Sequence, residues 1–470
     1  MFKKTNYPNI NNSIKEREPN IMYQKEKDQP RDDENQVNLN FDEQDQNPID
    51  QEHLSLNFDE QDEEKSQKKI KLLNQGAYGC VYRPNIDCNG NIGNNKYVTK
   101  IQLNKDNVLD ELSISEIIKK IPNYQYFFAP LIQSCNVSIS LLNNENIKDC
   151  DLLKDEKKIS NQKFLSTKVR YVGNKNIEEY FLSILIIEYL KYIQDYQKVT
   201  FLKEEKNLNS YIKNKTYLKT LPLFTPSMNE KIPYFFFENI IIKKISYTYY
   251  YLLKAIQKLQ IFNIIHFDIK EPNILYDEWN QSPIIIDFGI SFDLSTPPSL
   301  EKQAKIFYTK KFYIYWCIDI FIINYIVQDI RNTNNTTNIP KLSNDIITKE
   351  KMNIIINEFF ENLKKYLNSI PSMNEEITLY ETKIQNFLTP FIGKKWEELF
   401  DFLFKKELYS SWDNYSLAMT YLFISNSVHF LDYNILISNN LIKLWKSIIF
   451  AIPGERKNIE QTMEEWKLII

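Results

Sequence analysis

Two short motifs constrain this chain more than any other feature of its sequence. Residues 266–273 read HFDIKEPN and residues 286–289 read IDFG. Asp268 could accept or orient the proton of an attacking hydroxyl, while Asn273 and Asp287 offer the oxygens that hold metal ions against the phosphates of a nucleotide. The spacing therefore predicts a metal-dependent phosphate site.

The pattern H-x-D-x-K-x-x-N followed by D-F-G resembles the catalytic and metal loops of eukaryotic-type protein kinases. Lys270, two places after Asp268, resembles the serine/threonine branch of that family. The resemblance implies an α+β, bilobal fold with a small β-rich N-terminal lobe and a larger helical C-terminal lobe. It also implies that Asp268 and Lys270 are catalytic, that Asn273 and Asp287 are metal ligands, and that ATP and Mg2+ are the cofactors.

A turn upstream matches the kinase pattern G-x-G-x-x-G-x-V in part. Gly76, Gly79 and Val81 fit its second glycine, third glycine and valine, whereas Asn74 replaces the first glycine. Glycine lets the backbone approach a phosphate closely, and the whole chain has only 8 glycines. The predicted ATP-contacting residues of this turn are Leu73, Asn74, Gln75, Gly76, Ala77, Tyr78, Gly79 and Val81.

A kinase also needs a strand lysine that grips the α and β phosphates and a helix glutamate that pairs with it. Lys100 follows β-branched residues at the expected place, although it could also be one solvated lysine among 58 Lys and Arg. Glu111 and Glu116 compete for the glutamate role, and their spacing puts them on different faces of a helix. Glu111 is preferred because its distance from the end of the helix at Ile121 and Pro122 matches the kinase layout better, and Glu116 is expected on the solvated face.

The apolar run FLSILIIEYL at 181–190 predicts a buried strand that leads into a connector. In a kinase this connector would be the hinge, with Ile187 behind the pocket and the backbone of Glu188 to Leu190 binding adenine. An ordinary core strand is also compatible with the run and accounts for most of its residues. Apolar residues at helical spacing between Ile245 and Leu259 predict a long amphipathic helix before the catalytic loop.

Three residues are expected to support the site. His266 should fasten the catalytic loop by hydrogen bonds and not act as an acid or base. Asp413, in the segment SWDNYSL, resembles the helix-start aspartate that ties down this loop, with Asp319 as its rival. Arg456 resembles the closing arginine of the kinase fold, and Asp319 is the candidate for its buried acidic partner.

The region after D-F-G departs most from the kinase pattern, because it contains no A-P-E. The late position of Asp413 implies an insertion, at about 295–410, that is long by loop standards and is therefore expected to be helical. The apolar stretch near Asp319 and Asn324 is too short and polar for a membrane span, so a buried helix is predicted. Phe267 replaces the arginine that many kinases use to read loop phosphorylation, which disfavours that switch.

The segment GAYGCVYRP with a nearby Cys88, together with HFD and the late WDNYSL, is similar to divergent serine/threonine kinases of giant nucleocytoplasmic DNA viruses. This resemblance covers about 67–470 and implies a location in host cytoplasm or virion. It divides the chain into an N-terminal lobe with hinge at 67–190 and a C-terminal lobe at 191–470.

Composition indicates a cytoplasmic protein that needs neither nucleic acid nor membrane. The net charge of -3 gives no strong field for such partners. Neither a signal peptide nor an apolar stretch of about 18 residues is found. Five scattered cysteines predict free thiols in a reducing compartment. Cys80 and Cys88 could form half of a metal site, but packed or loop thiols are preferred.

The first 66 residues are polar and charged, and we expect them to be disordered. The motif LNFDEQD occurs at 39–45 and again at 56–62. This acidic repeat could dock a partner twice, although local duplication in an unconstrained tail is the preferred interpretation.

Three functions stay open at this point. The first is an active serine/threonine kinase that phosphorylates a protein substrate with ATP and Mg2+. The second is a pseudokinase scaffold, favoured by Asn74, Phe267, the missing A-P-E and the insertion. The third is a small-molecule phosphotransferase, against which Lys270, the intact D-F-G and the Asp413 helix argue.

Overall fold

The computed structural model describes most of the chain from Ile70 onward. The described ranges are 70–76, 79–87, 90–103, 106–136, 149–151, 164–185, 241–295, 312–333, 346–370, 373–428 and 436–470. They belong to a single compact unit, Ser66–Ile470. The predicted polar tail with its acidic repeat lies outside the described residues.

A five-stranded antiparallel sheet forms the N-terminal part of this unit. Its strands are β1 (Lys71–Gly76), β2 (Gly79–Arg83), β3 (Tyr97–Leu103), β4 (Leu131–Asn136) and β5 (Phe164–Arg170). They lie in the order β1-β2-β3-β5-β4, and helix α1 (Asp106–Ile118) packs beside β4. The register sets Lys100 opposite Val81 on one side and Thr167 on the other. The predicted strand lysine therefore lies in the middle of the sheet.

Gly79 is required by the packing of β2 against β3. A Cβ atom at this position would lie 2.4 Å from the carbonyl oxygen of Ile101 and 2.8 Å from Cβ of Gln102. No side chain fits at that distance from backbone. This glycine therefore has a structural reason to be present besides any contact with phosphate.

The region around the two motifs is built from one long helix and short hairpins. Its elements are α2 (Lys243–Ile261), β6 (Ile264–Ile265), β7 (Ile274–Asp277), β8 (Ser282–Ile285) and β9 (Phe292–Asp293). Strand β6 pairs with β9 and β7 pairs with β8. The apolar positions of α2 are buried, which confirms the predicted amphipathic helix. HFDIKEPN thus follows β6, and IDFG lies between β8 and β9.

Helices make up the rest of the described chain. They are α3 (Ile318–Thr333), α4 (Lys349–Leu367), α5 (Asn374–Leu388), α6 (Trp396–Leu403), α7 (Lys406–Tyr409), α8 (Trp412–Ser427), α9 (Leu436–Ile449) and α10 (Ile459–Ile469). Helix α8 is buried along nearly its whole length and contacts both α2 and α9. The described part of the predicted insertion, α3 to α7, is helical. The molecule is therefore a mixed α+β protein, with the sheet first and the helices after it.

The predicted strand at 181–190 is wrong for its described part, residues 181–185. Residues 177–185 are helical, and Ile187, Glu188 and Leu190 lie outside the described residues. Ile177 and Phe181, one helical turn apart, are both fully buried. An apolar run of this length fits a buried helix as well as a buried strand. The connection out of β5 is instead made by residues 171–176.

The prediction of free thiols is wrong for three of the cysteines. Cys80 and Cys150 form a disulfide across 70 residues of sequence, and Cys135 is also disulfide-bonded. Cys317 is free and buried, whereas Cys88 lies outside the described residues. The reducing compartment was inferred from free thiols, so that inference loses its basis.

The disulfide holds residues 149–151 against the β1–β2 hairpin. Gln75 in β1 exchanges two hydrogen bonds with Asp151, at 2.9 and 3.2 Å. Both sulfur-bearing residues are buried. A segment distant in sequence is thereby attached beside the glycine turn.

None of the described helices is long and apolar enough to cross a membrane. The apolar stretch that begins near Asp319 forms α3, and its described side chains are mostly buried in the core. This outcome agrees with the prediction of a buried helix.

Candidate active site

The loop at 266–273 is anchored through its backbone by Asp413. One carboxylate oxygen of Asp413 accepts the backbone N–H of His266 and the other accepts that of Phe267, both at 2.8 Å. Asp413 lies in the first turn of α8 and is fully buried, and this burial raises the pKa of its carboxyl group. Two backbone donors satisfy a polar group whose burial would otherwise be costly. Asp413 and not Asp319 therefore anchors the loop.

Asp319 pairs with Arg456 instead. Two guanidinium nitrogens lie 2.9 and 3.0 Å from the two carboxylate oxygens, and both side chains are completely buried. Trp412 also donates its indole N–H to Asp319 at 3.2 Å. The pair named from the sequence thus joins the start of α3, the start of α8 and the segment before α10.

His266 connects the two motifs to each other. Its Nδ1 accepts the backbone N–H of Asp268 at 3.2 Å, so its Nε2 is the nitrogen that donates to the carbonyl oxygen of Ile286 at 3.1 Å. A neutral imidazole accepts at one nitrogen and donates at the other. The ring is buried against Phe288. Its contacts are those of a fastening residue.

Phe267 fills the core behind the loop. It has a positive φ of 69°, which is uncommon for a bulky residue, and its ring packs among Phe292, Trp316 and Trp412. The side chain is 1% exposed. A residue in this position cannot read a phosphate group at the surface.

Asp268 lies at the centre of a group of donors. Lys270 Nζ lies 2.8 Å from its Oδ2, and the side-chain amide of Asn273 donates to the same oxygen at 2.8 Å and to the backbone carbonyl of Asp268 at 2.9 Å. Tyr313 donates its hydroxyl to Oδ1 at 2.8 Å. The carboxylate is thereby held in one orientation.

Lys100 reaches from β3 to the D-F-G segment. Its Nζ lies 3.1 Å from Oδ1 of Asp287 and 4.0 Å from Oε2 of Glu111. Burial lowers the pKa of Lys100, but the two carboxylates outweigh burial and raise it. Burial likewise opposes ionisation of Asp287, and Lys100 outweighs it, so the pKa of Asp287 is lowered. Glu116, the competitor of Glu111, is exposed and pairs with Lys119.

The backbone presents Asp287 beside Asn273. Asp287 has a positive φ of 63°, while the neighbouring Phe288 is buried against Phe128. The N–H of Ile286 donates to the carbonyl oxygen of Asn273 at 3.0 Å. The side chain of Asp287 remains 44% exposed, so a ligand can reach it.

Asn273 and Asp287 suit Mg2+ but do not form a complete cage. Both amide hydrogens of Asn273 are donated to Asp268, which leaves its carbonyl oxygen as the ligating atom. No group of three or more His, Cys, Asp or Glu among the described residues could hold a metal ion. Mg2+ in phosphate-transfer sites is commonly bound by one or two carboxylates together with substrate phosphates and water. Two protein ligands therefore fit this ion.

Half-buried apolar side chains lie near these charged groups. Val169, Leu275 and Ile286 pack on the buried residues Ala129, Val172 and Ile284. The chain leaves β5 at this point, and Tyr276 N–H donates to the carbonyl oxygen of Lys175 at 3.1 Å.

The strand pattern at 164–170 followed by Gly173 could have identified residues 171–176 as the connection out of β5, but the apolar run at 181–190 gave the stronger signal. Tyr313 was missed because its segment was noted only for its apolar character.

The residues of the glycine turn are only partly described. Leu73, Asn74 and Gln75 are exposed in β1, where the pairing with β2 is irregular between Leu72 and Asn74. Gly76 and Gly79 are paired across the hairpin. Ala77 and Tyr78 lie outside the described residues. Val81, opposite Lys100, is half-buried.

No protein-family model matches this chain, and no curated protein is significantly similar to it.

Proposed function

We propose that the protein is a serine/threonine protein kinase that transfers the γ-phosphate of ATP to protein hydroxyls with Mg2+. The observation that supports this most directly is that Asp268, Lys270 and Asn273 form one hydrogen-bonded group next to the Lys100–Asp287 pair. Phosphoryl transfer depends on positioning and on electrostatic stabilisation of charged oxygens. These five residues supply the groups that such a reaction needs.

Each residue has one role in the proposed reaction. Lys100 binds the α and β phosphates, and Asn273 and Asp287 would hold Mg2+, which neutralises phosphate charge when it is bound. Asp268 accepts or orients the proton of the acceptor hydroxyl. Lys270 stabilises the charge on the transferred phosphoryl group.

In this proposal the sheet and the helical part are the two lobes of a kinase fold. Adenine would bind over Val81, Leu275 and Ile286, with backbone hydrogen bonds from residues 171–173. This assignment replaces Glu188 and Leu190 as the hinge, because the chain leaves β5 at Arg170 and enters the next helix at residue 177.

A nucleotide-binding scaffold is the second candidate. It is favoured by the three donors from the protein itself that the two side-chain oxygens of Asp268 accept, because they leave little room for an acceptor hydroxyl. A scaffold would bind nucleotide without transferring phosphate. The same protein preparation can therefore distinguish the two candidates.

Asp268→Asn tests the proposed function. General-base catalysis contributes about 100- to 10,000-fold to rate, so transfer from ATP to a generic protein substrate should fall by that factor while nucleotide affinity is retained. Asp110→Asn, an exposed aspartate of α1, is the matched control and should behave as wild type. Undiminished transfer by Asp268→Asn would refute the role of Asp268, and nucleotide binding by a wild type that transfers no phosphate would identify the scaffold.

A further inference from the structure

Tyr313 places a phenol at the reactive carboxylate. Its hydroxyl donates to Oδ1 of Asp268 at 2.8 Å, and Lys270 Nζ lies 5.5 Å from the centre of its ring. Burial, and next the charge of Asp268, raise the pKa of Tyr313 well above its ordinary value. The phenol therefore keeps its proton and acts as a hydrogen-bond donor.

Two residues that follow Tyr313, Tyr315 and Trp316, hold its segment in place. Trp316 donates its indole N–H to the carbonyl oxygen of Phe267 at 2.9 Å. Tyr315 donates its hydroxyl to Glu271, and its carbonyl oxygen accepts the hydroxyl of Ser416 at 2.7 Å. The backbone thus cannot swing Tyr313 away from the loop without breaking these contacts.

The donors divide unequally between the oxygens of Asp268. Oδ2 accepts from Lys270 and Asn273, which accounts for the two lone pairs of a carboxylate oxygen. Oδ1 accepts from Tyr313 and has one further lone pair. An acceptor hydroxyl must approach that remaining lone pair, and Tyr313 determines where it points.

We propose that Tyr313 is a positioning residue, which aims Oδ1 of Asp268 at the acceptor hydroxyl. This inference rests on the proposed kinase function. Misplacing a reacting group by about 1 Å can cost about 100-fold in rate. Tyr313 acts on the reaction through Asp268 and does not itself contact the phosphates. Its loss should therefore affect turnover and leave nucleotide binding unchanged.

Tyr313→Phe removes only the hydroxyl. We expect kcat to fall about 10- to 100-fold, with the KM for ATP and the Kd for nucleotide unchanged. Tyr421→Phe is the matched control, since it removes a buried phenol hydrogen bond, to Thr248, that belongs neither to this segment nor to Asp268; it should leave a much smaller change in kcat. An unchanged kcat in Tyr313→Phe overturns the inference, and so does a raised kcat, which would show that the phenol occupies the place of the acceptor.

A crystal structure of Tyr313→Phe keeps the inference testable if the wild type transfers no phosphate. The inference requires the Asp268 carboxylate to leave its orientation toward Asn273 and Lys270 once Oδ1 loses its donor. An unmoved carboxylate overturns the positioning role whatever the activity. If the wild type transfers no phosphate but the carboxylate has moved in Tyr313→Phe, the proposed kinase function has failed, while the role of Tyr313 in orienting Asp268 is supported.

Discussion

At the scale of residues, this site is defined by charges that lie on different elements and neutralise one another. Lys100 comes from the sheet, Glu111 from α1 and Asp287 from the segment after β8. Their separation in sequence exceeds anything that local patterns could join, and only the resemblance to kinase motifs linked them. The structure then sets Lys100 against both carboxylates. Each of them can be tested separately.

Lys100→Met should reduce phosphate transfer by about 100-fold, because it removes the positioning of the phosphates. It also leaves Glu111 and Asp287 without their shared cation, so nucleotide affinity should fall as well. Lys119→Met is the control, because Lys119 forms an ion pair with the exposed Glu116, outside the site. Steady-state kinetics and nucleotide titration measure both effects. A normal rate for Lys100→Met would assign the phosphate-gripping role to another lysine, with Lys96 the first to examine.

Glu111 should make stability depend on pH in the metal-free protein. Burial first, and Asp287 further, raise its pKa from 4.5 to about 7, against the opposing effect of Lys100. The folded state therefore keeps a proton that the unfolded state has lost, and this stabilisation is complete below pH 4.5 and disappears as pH rises through about 7.

The test is the change in the free energy of unfolding between pH 5 and pH 8, measured with denaturant. Over this window the free energy of unfolding of Glu111→Gln should decrease less than that of the wild type. Glu116→Gln, on the exposed face of the same helix, should follow the wild type. Parallel curves for Glu111→Gln and wild type would contradict the raised pKa.

At the scale of elements, short apolar runs were predicted less well than helix faces. The periodic spacing in α2 gave a correct helix because a long stretch samples the 3.6-residue period several times. The run at 181–190 gave a wrong prediction for its described part, since a buried helix and a buried strand both present continuous apolar residues. Length alone could not decide between them.

Buried charge pairs join the elements of the helical part. Asp319 and Arg456 are 137 residues apart in the sequence, yet they form an ion pair in which both side chains are inaccessible to solvent. The sequence could name the pair only through the position of Arg456 in a kinase-like closing segment. Its energetic weight follows from its burial.

Arg456→Met should destabilise the fold by about 3–5 kcal/mol, because it leaves Asp319 buried and unpaired. The double variant Asp319→Leu/Arg456→Met should recover part of that loss, as an apolar pair needs no counter-charge. Lys446→Met, which removes a partly exposed pair with Glu376, should cost only about 0–1 kcal/mol. Chemical denaturation measures all three, and equal stabilities of the single and double variants would contradict the interpretation.

At the scale of the whole molecule, the disulfide is the feature that the sequence concealed most completely. Cys80 and Cys150 are separated by 70 residues, and five scattered cysteines suggested no pairing. By contrast, the two motifs and their mutual arrangement could be predicted, since residues 266–289 form one short continuous segment. Proximity in sequence is what made that part of the site accessible to inference.

The disulfide is expected to be present in the protein as isolated without reductant. Proteolysis under non-reducing conditions should yield a cross-linked peptide pair that contains Cys80 and Cys150, and reduction should separate it. Removal of such a bond typically costs about 2–4 kcal/mol, so Cys150→Ser should lower the unfolding midpoint. Quantitative alkylation of Cys80 without prior reduction would contradict the pairing.

The central claim is metal-dependent phosphate transfer by the group around Asp268 and Asp287. The most direct measurement follows label from γ-labelled ATP with Mg2+ into a generic basic protein and into the protein itself, for wild type and Asp287→Ala. The account predicts labelled serine or threonine that requires Mg2+ and is lost in Asp287→Ala. Labelling that persists in the variant, or a wild type that binds nucleotide and labels nothing, would contradict it.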